Sequence, residues 1–263
     1  MTPLLQGKNI VVYGAGGGLG RGVSRTFAAE GARVFLAGRR LEPLEAAAAE
    51  IAADGASAEV AVVDALDERA VREHAQGVVD RAGSLDVSFN LISRGDRHGT
   101  PLVDLALADF MRPLDNGLAS SFITAQAAAR HMIAQGSGVI LSLTSGSSRS
   151  QGPGMGATGS ADAATEAFMR HLAAEVGAHG VRVAGIWTAG VPETFARADD
   201  TNEARAAGAM TGEDIERMLG PMTMLKRAPR LQQVADAAAF LASDRAAGIT
   251  SSITNVTCGL VPG

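Results

Sequence analysis

One cysteine, one tyrosine, one tryptophan and two lysines occur in 263 residues. A single cysteine, Cys258, excludes an internal disulfide framework and any cysteine-cluster metal site. The histidines show no metal spacing either, so no metal is expected. No stretch approaches the roughly 18 consecutive apolar residues that a bilayer span requires. No basic segment followed by a long apolar run precedes the first strand-like residues, which argues against a secretory signal. The expectation is a cytoplasmic protein with no membrane partner. A net charge of −5 gives no electrostatic case for nucleic acid. Only Lys8 and Lys226 among the 23 Lys and Arg residues are lysines, so cationic chemistry falls mainly to arginine.

What is present describes an ordinary globular protein: 46% hydrophobic and 19% charged residues, with 32 glycines. The length suits one large α/β domain. Short β-branched runs alternate with longer Ala-rich helical patterns. Strands are expected at 9–13, 33–37, 59–63, 86–91, 139–143, 181–186 and 252–256. Helices are expected between them, including a long helical region from about 104 to 135 and another over 161–178. This alternation predicts a doubly wound parallel sheet of about seven strands with helices on both faces. Ligands then belong at the carboxyl ends of the strands. Residues 1–263 read as a single domain, with 188–225 as a substrate-side loop and helical lid.

The first strand runs into Gly14-Ala15-Gly16-Gly17-Gly18-Leu19-Gly20 and then a helix. Glycines there let backbone N–H groups approach a pyrophosphate, and a helix N-terminus adds a positive dipole. The candidates for cofactor contact are Gly14, Gly17, Gly18, Leu19 and Gly20. Their spacing is G-x-x-x-G-x-G, not the commoner G-x-G-x-x-G.

That spacing, first in the chain, resembles the short-chain dehydrogenase/reductase family, and the likeness extends over nearly the whole sequence. It implies a Rossmann-type fold. It places Asp64 and Ala65 against an adenine, Asn90 at the first position of an N-N-A-G segment, and Asn116 and Ser145 in a catalytic tetrad. Thr194 falls in the segment flanking the nicotinamide, and 227–241 matches the last helix. The resemblance also implies homotetramers or homodimers and a small-molecule substrate.

The second strand ends in Arg39-Arg40, where an NAD-selective site would carry a carboxylate. A guanidinium suits a ribose 2′-phosphate, so NADP(H) is expected over NAD(H), although two solvated surface arginines would give the same sequence.

The tetrad itself is altered. The family carries a Tyr thirteen residues after the Ser and a Lys four residues later. Here those positions hold Thr158 and Asp162, and Asp162 would reverse the local charge while still able to accept hydrogen bonds from ribose hydroxyls. The only tyrosine, Tyr13, adjoins the glycine loop. An aliphatic hydroxyl is a far weaker acid than a phenol of reference pKa about 10, and a positioned proton donor is worth about 10²–10⁴ in rate. Three readings stay open. An atypical oxidoreductase on a carbonyl, alcohol or enone would draw its proton from Asp162, water or the substrate. A redox-neutral dehydratase, cyclase or isomerase would use Ser145, Thr158 or Asp162. A catalytically silent protein would only sense or bind the dinucleotide. His98, on the loop after the fourth strand, is a substitute acid if it is not simply solvated. The other histidines read as surface or interface residues, and Trp187 as either core or cofactor packing. The Met-rich stretch 210–225 reads as an apolar lid or a plain amphipathic helix.

Overall fold

Asn9–Tyr13 (β1) is a run of five buried residues whose side chains alternate between two cores. Ile10 and Val12 enter one, Val11 and Tyr13 the other, as a strand's period of two requires. The computed structural model describes residues 3–150, 152–195 and 210–262. The remaining strands are Arg33–Gly38 (β2), Ala58–Val62 (β3), Val87–Asn90 (β4), Gly138–Thr144 (β5), Val181–Thr188 (β6) and Ser252–Val256 (β7). They form one parallel sheet in the order β3-β2-β1-β4-β5-β6-β7. The order reverses between β1 and β4, which opens a crevice at the carboxyl ends of these two strands. The expected seven-stranded α/β architecture is the observed one.

Helices Gly18–Ala29 (α1) and Leu41–Ala53 (α2) cover one face of the sheet, together with a C-terminal helix, Leu231–Ala242. Phe27 of α1 is fully buried and meets Phe89 of β4 across this core. Burial of such a ring contributes about 2–3 kcal/mol. Helix Glu68–Ala82 (α3) covers the other face. It is capped by the Asp67 carboxylate, which accepts from the Ala70 N–H, and it stops at Gly83.

The helical region expected over 104–135 is broken. Leu107–Pro113 (α4) is followed by a π-helical turn over Leu114–Leu118, and a new helix, Ala119–Gln135 (α5), begins after it. Pro113 has no N–H to give to the helical ladder, and the turn sits directly after it. Helix α6 is Gly156–Val176, longer at its start than expected. Val78, Ala125, Ala128 and Met169 build the second core with α3.

The stretch taken as a lid is described over 188–195 and 210–225; its middle, 196–209, lies outside the described residues. Gly212–Leu219 (α7) starts with a capping box between Thr211 and Asp214. It buries Ile215 and Leu219 against Ala228, and it leaves Met218, Met222, Met224 and Leu225 exposed. The C-terminal helix is α8. Among the described residues no helix is long and apolar enough to cross a membrane.

Candidate active site

Gly14 makes the turn out of β1 with φ +78°, and a Cβ there would lie 2.6 Å from the Leu91 carbonyl group. The loops after β1 and β4 therefore touch at the reversal point through a glycine. Gly17 is the N-cap of α1 and offers no side-chain cap. Gly18, Leu19 and Gly20 form the first turn of α1, whose N–H groups have no partner within the helix. Around Gly17 the only atom within 4 Å of a built Cβ is the Gly14 oxygen at 3.4 Å, so the backbone is open to close approach. Thr194, buried after β6, packs against Gly18 and donates to the Val191 carbonyl at 2.8 Å. Arg39 and Arg40 stand side by side and exposed at the carboxyl end of β2. Asp64 is exposed just after β3 and accepts from the Leu66 N–H at 3.0 Å, while Ala65 is buried beside it. These positions line the carboxyl edge from β3 to β1.

Asn90 ends β4, and its side chain turns to α5. Its amide donates to Ser120 Oγ at 2.9 Å and its oxygen accepts from the Ile92 N–H at 3.2 Å.

The four expected catalytic positions come together around Arg94, to which sequence reasoning gave no role. Asp162, on α6, is fully buried. Its Oδ2 accepts from the Ser145 N–H (3.0 Å), the Ser145 hydroxyl (2.7 Å) and the Ser147 N–H (3.1 Å). Its Oδ1 accepts from Arg94 Nη1 at 2.6 Å. Arg94 also grips Asp96, through Nε and Nη2 at 3.1 Å each. Asp96 in turn accepts from the Thr158 hydroxyl at 2.8 Å, and His98 Nε2 lies 3.1 Å from that same hydroxyl. Asn116, in the π-helical turn, donates to the Arg94 carbonyl at 3.1 Å. Ser145, Asp162, Arg94, Asp96, Thr158 and His98 thus form one continuous polar chain between α6 and the loop after β4.

Burial by itself would lower the basicity of Arg94, but Asp96 and Asp162 outweigh it and push its pKa up. The guanidinium is held in place by glycine. A Cβ on Gly117 would fall 2.5 Å from Arg94 Cδ, so the side chain lies directly across the π-helical turn.

This arrangement corrects two expectations. Asp162 is surrounded by donors and acts as an acceptor, so it is not placed as a proton source. It is also turned fully inward, which leaves none of it exposed for a ribose hydroxyl. The charge reversal expected from Asp162 is offset by Arg94, a cation supplied from a neighbouring loop. One signal in the sequence pointed that way: a carboxylate on a buried helix face requires a cation, and Arg94 was the nearest candidate on the adjoining loop.

Of three further residues, His74 departs from the sequence reading, while Tyr13 ends the expected strand and Trp187 takes the core role that the sequence allowed. Tyr13 is the last residue of β1 and points into the core, where burial raises its phenol pKa. His74, expected at the surface or an interface, is half-buried. It packs edge-on to Tyr13 at 5.9 Å, and burial, followed by the nearby Arg81 charge, lowers its pKa from 6.5 to about 4. Trp187 is buried, and its indole N–H donates to Glu166 Oε1 at 2.8 Å. The buried Glu166 carboxylate also accepts from Thr144 at 3.2 Å and Ser148 at 2.8 Å, one helical turn beyond Asp162. Among the described residues no cluster fit for a metal occurs.

Comparison with known proteins agrees with this geometry. The model of the enoyl-(acyl carrier protein) reductase family matches residues 14–261. The chain is 28% identical to the 7alpha-hydroxysteroid dehydrogenase of Escherichia coli (strain K12), covering 97% of this chain and 94% of that protein. It is 33% identical to momilactone A synthase of Oryza sativa subsp. japonica, covering 97% and 90%. A solved 7 alpha-hydroxysteroid dehydrogenase, complexed with NADH and 7-oxo glycochenodeoxycholic acid, superposes with a TM-score of 0.85 at 28% identity, over 100% of this chain and 97% of that one. With its glycine loop and sheet order on one scaffold, the chain belongs to the short-chain dehydrogenase/reductase family of oxidoreductases.

Proposed function

We propose that this protein is an NADP(H)-dependent oxidoreductase acting on a small apolar carbonyl, alcohol or enone, with a proton donor other than the family's tyrosine. One observation carries the reading: the tetrad positions remain linked in a single polar network beside the glycine loop, at the reversal point of the sheet. The residues present fit a dinucleotide. The uncapped α1 N-terminus and the open space over Gly17 suit a pyrophosphate, and Asp64 with Ala65 suits the adenine. Exposed Arg39 and Arg40 suit a 2′-phosphate through charge-assisted, bidentate hydrogen bonds. A bound nicotinamide supplies or accepts a hydride.

The chain's own contribution is positional and electrostatic. The Ser145 hydroxyl donates a hydrogen bond to Asp162 and sits 2.7 Å from Ser147 Oγ. With that proton engaged, Ser145 receives from Ser147 and does not serve as the acid. Arg94 locks Asp162 on one side and Asp96 on the other. Exposed Leu102, Val103 and Leu107 after β4, with Met222 and Leu225 after α7, offer apolar surface for a hydrophobic substrate. On α5 and α6, half-exposed Phe122 meets Phe168 edge-on at 5.9 Å, which supports helix-to-helix pairing in a homodimer or homotetramer.

The Ser145–Asp162 bond also favours a second reading, a dinucleotide-binding regulatory or partner protein that has lost turnover. Calorimetry with NADPH and NADH, followed by a carbonyl, alcohol and enone panel, separates the readings. Tight NADPH binding with turnover is expected. Binding without turnover selects the silent protein, and conversion with no net NADPH oxidation selects a redox-neutral enzyme. Arg39→Ala should weaken NADPH about 10–100-fold and NADH under about 3-fold. Equal weakening refutes the 2′-phosphate assignment.

A further inference from the structure

Thr158 has one hydroxyl hydrogen and two polar neighbours. Asp96 Oδ1 lies 2.8 Å away and receives from Arg94 as well, so it accepts the Thr158 hydrogen. The Thr158 oxygen must then accept from its other neighbour, His98 Nε2, at 3.1 Å. Nε2 therefore carries a hydrogen, and the direction of donation runs from His98 to Thr158 to Asp96. Thr158 is almost fully buried on α6, whereas His98 is exposed on the loop after β4. One end of this path faces solvent and the other ends at the position from which the family's tyrosine acts.

We propose that His98 and Thr158 form a proton relay that replaces the missing tyrosine, with Thr158 as the point of delivery and His98 as the solvent-charged reservoir. This rests on the oxidoreductase reading above. In the reduction direction the carbonyl carbon would gain a hydride from a bound reduced nicotinamide, which would be left oxidised, and the C=O π pair would move onto oxygen. That oxygen takes the Thr158 hydroxyl proton as the hydroxyl swings from Asp96 to the substrate. The Thr158 oxygen takes the Nε2 proton of an imidazolium at His98. The imidazole is left neutral with its hydrogen on Nδ1, and Nε2 regains a proton from water. In alcohol oxidation each transfer reverses, and the proton leaves through His98.

Charged groups surround the relay on every side. Asp96 and Arg94 belong to its own loop, Arg97 next to His98 pairs with Asp109 of α4 alongside Arg112, and Asp162 of α6 is joined through Arg94. Arg94, Arg97 and Arg112 balance Asp96, Asp109 and Asp162 around the relay. Arg94 acts as a positioning residue, because it fixes Asp96 under the Thr158 hydroxyl.

The test combines a spectroscopic and a kinetic readout on the full-length protein. In ¹⁵N-histidine NMR, His98 is expected to carry hydrogen on Nε2 when neutral, and Thr158→Val should move its Nε2 resonance. A neutral His98 with Nε2 unprotonated overturns the relay whatever the activity. With NADPH and the apolar ketone 2-decalone, within the wider panel, wild-type reduction should fall as pH rises through the imidazole range near 6.5. His98→Asn should be about 10²-fold slower at pH 6, with that limb of the profile gone. Retention of the wild-type profile in His98→Asn overturns the relay and leaves the oxidoreductase reading standing. Absence of wild-type turnover across the panel overturns that reading, and the relay falls with it.

Discussion

Arg94 reaches Asp162 with 2.6 Å between Nη1 and Oδ1, and the carboxylate at the other end is completely buried. The cation that meets this carboxylate thus comes from the loop after β4 and not from α6 itself. Removal of one partner of a buried pair costs about 3–5 kcal/mol, because the other charge is left uncompensated. Arg94→Met should therefore lower the melting temperature by roughly 10 °C. Arg94→Met combined with Asp162→Leu should recover most of that loss in the same thermal scan. An unchanged melting temperature for Arg94→Met would show that the pair contributes nothing.

The same pair governs any attempt to restore the family's tetrad. Thr158→Tyr with Asp162→Lys places a lysine ammonium against the Arg94 guanidinium, two like charges in a buried site. The double variant should be poorly stable and slow. Adding Arg94→Ala should raise its melting point and bring ketone reduction at least 10-fold above that of the double variant. Chemical denaturation and NADPH oxidation on the ketone panel measure both effects. Equal stability of the two variants would mean that the lysine finds another partner.

Gly14 and Gly83 separate backbone strain from steric clash. Both have φ near +80°, but a Cβ at Gly14 would meet Leu91 at 2.6 Å while a Cβ at Gly83 meets nothing within 4 Å. Gly83→Ala should cost about 1–2 kcal/mol from the left-handed backbone alone. Gly14→Ala should cost about 2–4 kcal/mol and weaken NADPH binding, since the loop must shift. Urea denaturation and calorimetry give the two numbers, and equal costs would show that the β1 and β4 loops separate easily.

His74 couples stability to acid. Its folded pKa is about 4 against 6.5 in the unfolded chain, through burial first and the Arg81 charge second. The folded protein holds the imidazole neutral, while the unfolded chain takes up a proton as pH falls below 6.5. Acidification therefore favours unfolding, and the loss grows from pH 6.5 down to about 4, where it reaches about 3 kcal/mol. Above pH 6.5 this contribution is flat. In His74→Gln the unfolding free energy should vary less with pH over this window. An identical slope in the variant would place the acid sensitivity elsewhere.

The fold was legible because its determinants are local. The period-two burial of Val11 and Tyr13 against Ile10 and Val12, and the glycine turn that follows, are written in adjacent residues. The break at 114–118 was less visible. Pro113 signals it, but a π-helical turn differs from an ordinary one by a single residue of register. His74 was misread for a related reason. Pattern shows which face of an element is apolar, but not that an edge-on aromatic contact between a strand and a helix will bury a histidine.

Sequence alone determined the family, the sheet and the glycine loop, because each rests on residue type at a fixed spacing. It also singled out Ser145, Asn116, Thr158 and Asp162 as candidates by counting. It could not say what those residues do, since function here depends on partners far apart in the chain. Arg94 and Asp162 are 68 residues apart, and Thr158 and His98 are 60. Only the packing of α6 against the loop after β4 brings them within hydrogen-bond distance. That packing gives Asp162 its counter-charge, engages the Ser145 proton, and joins the buried Thr158 hydroxyl to a histidine at the surface.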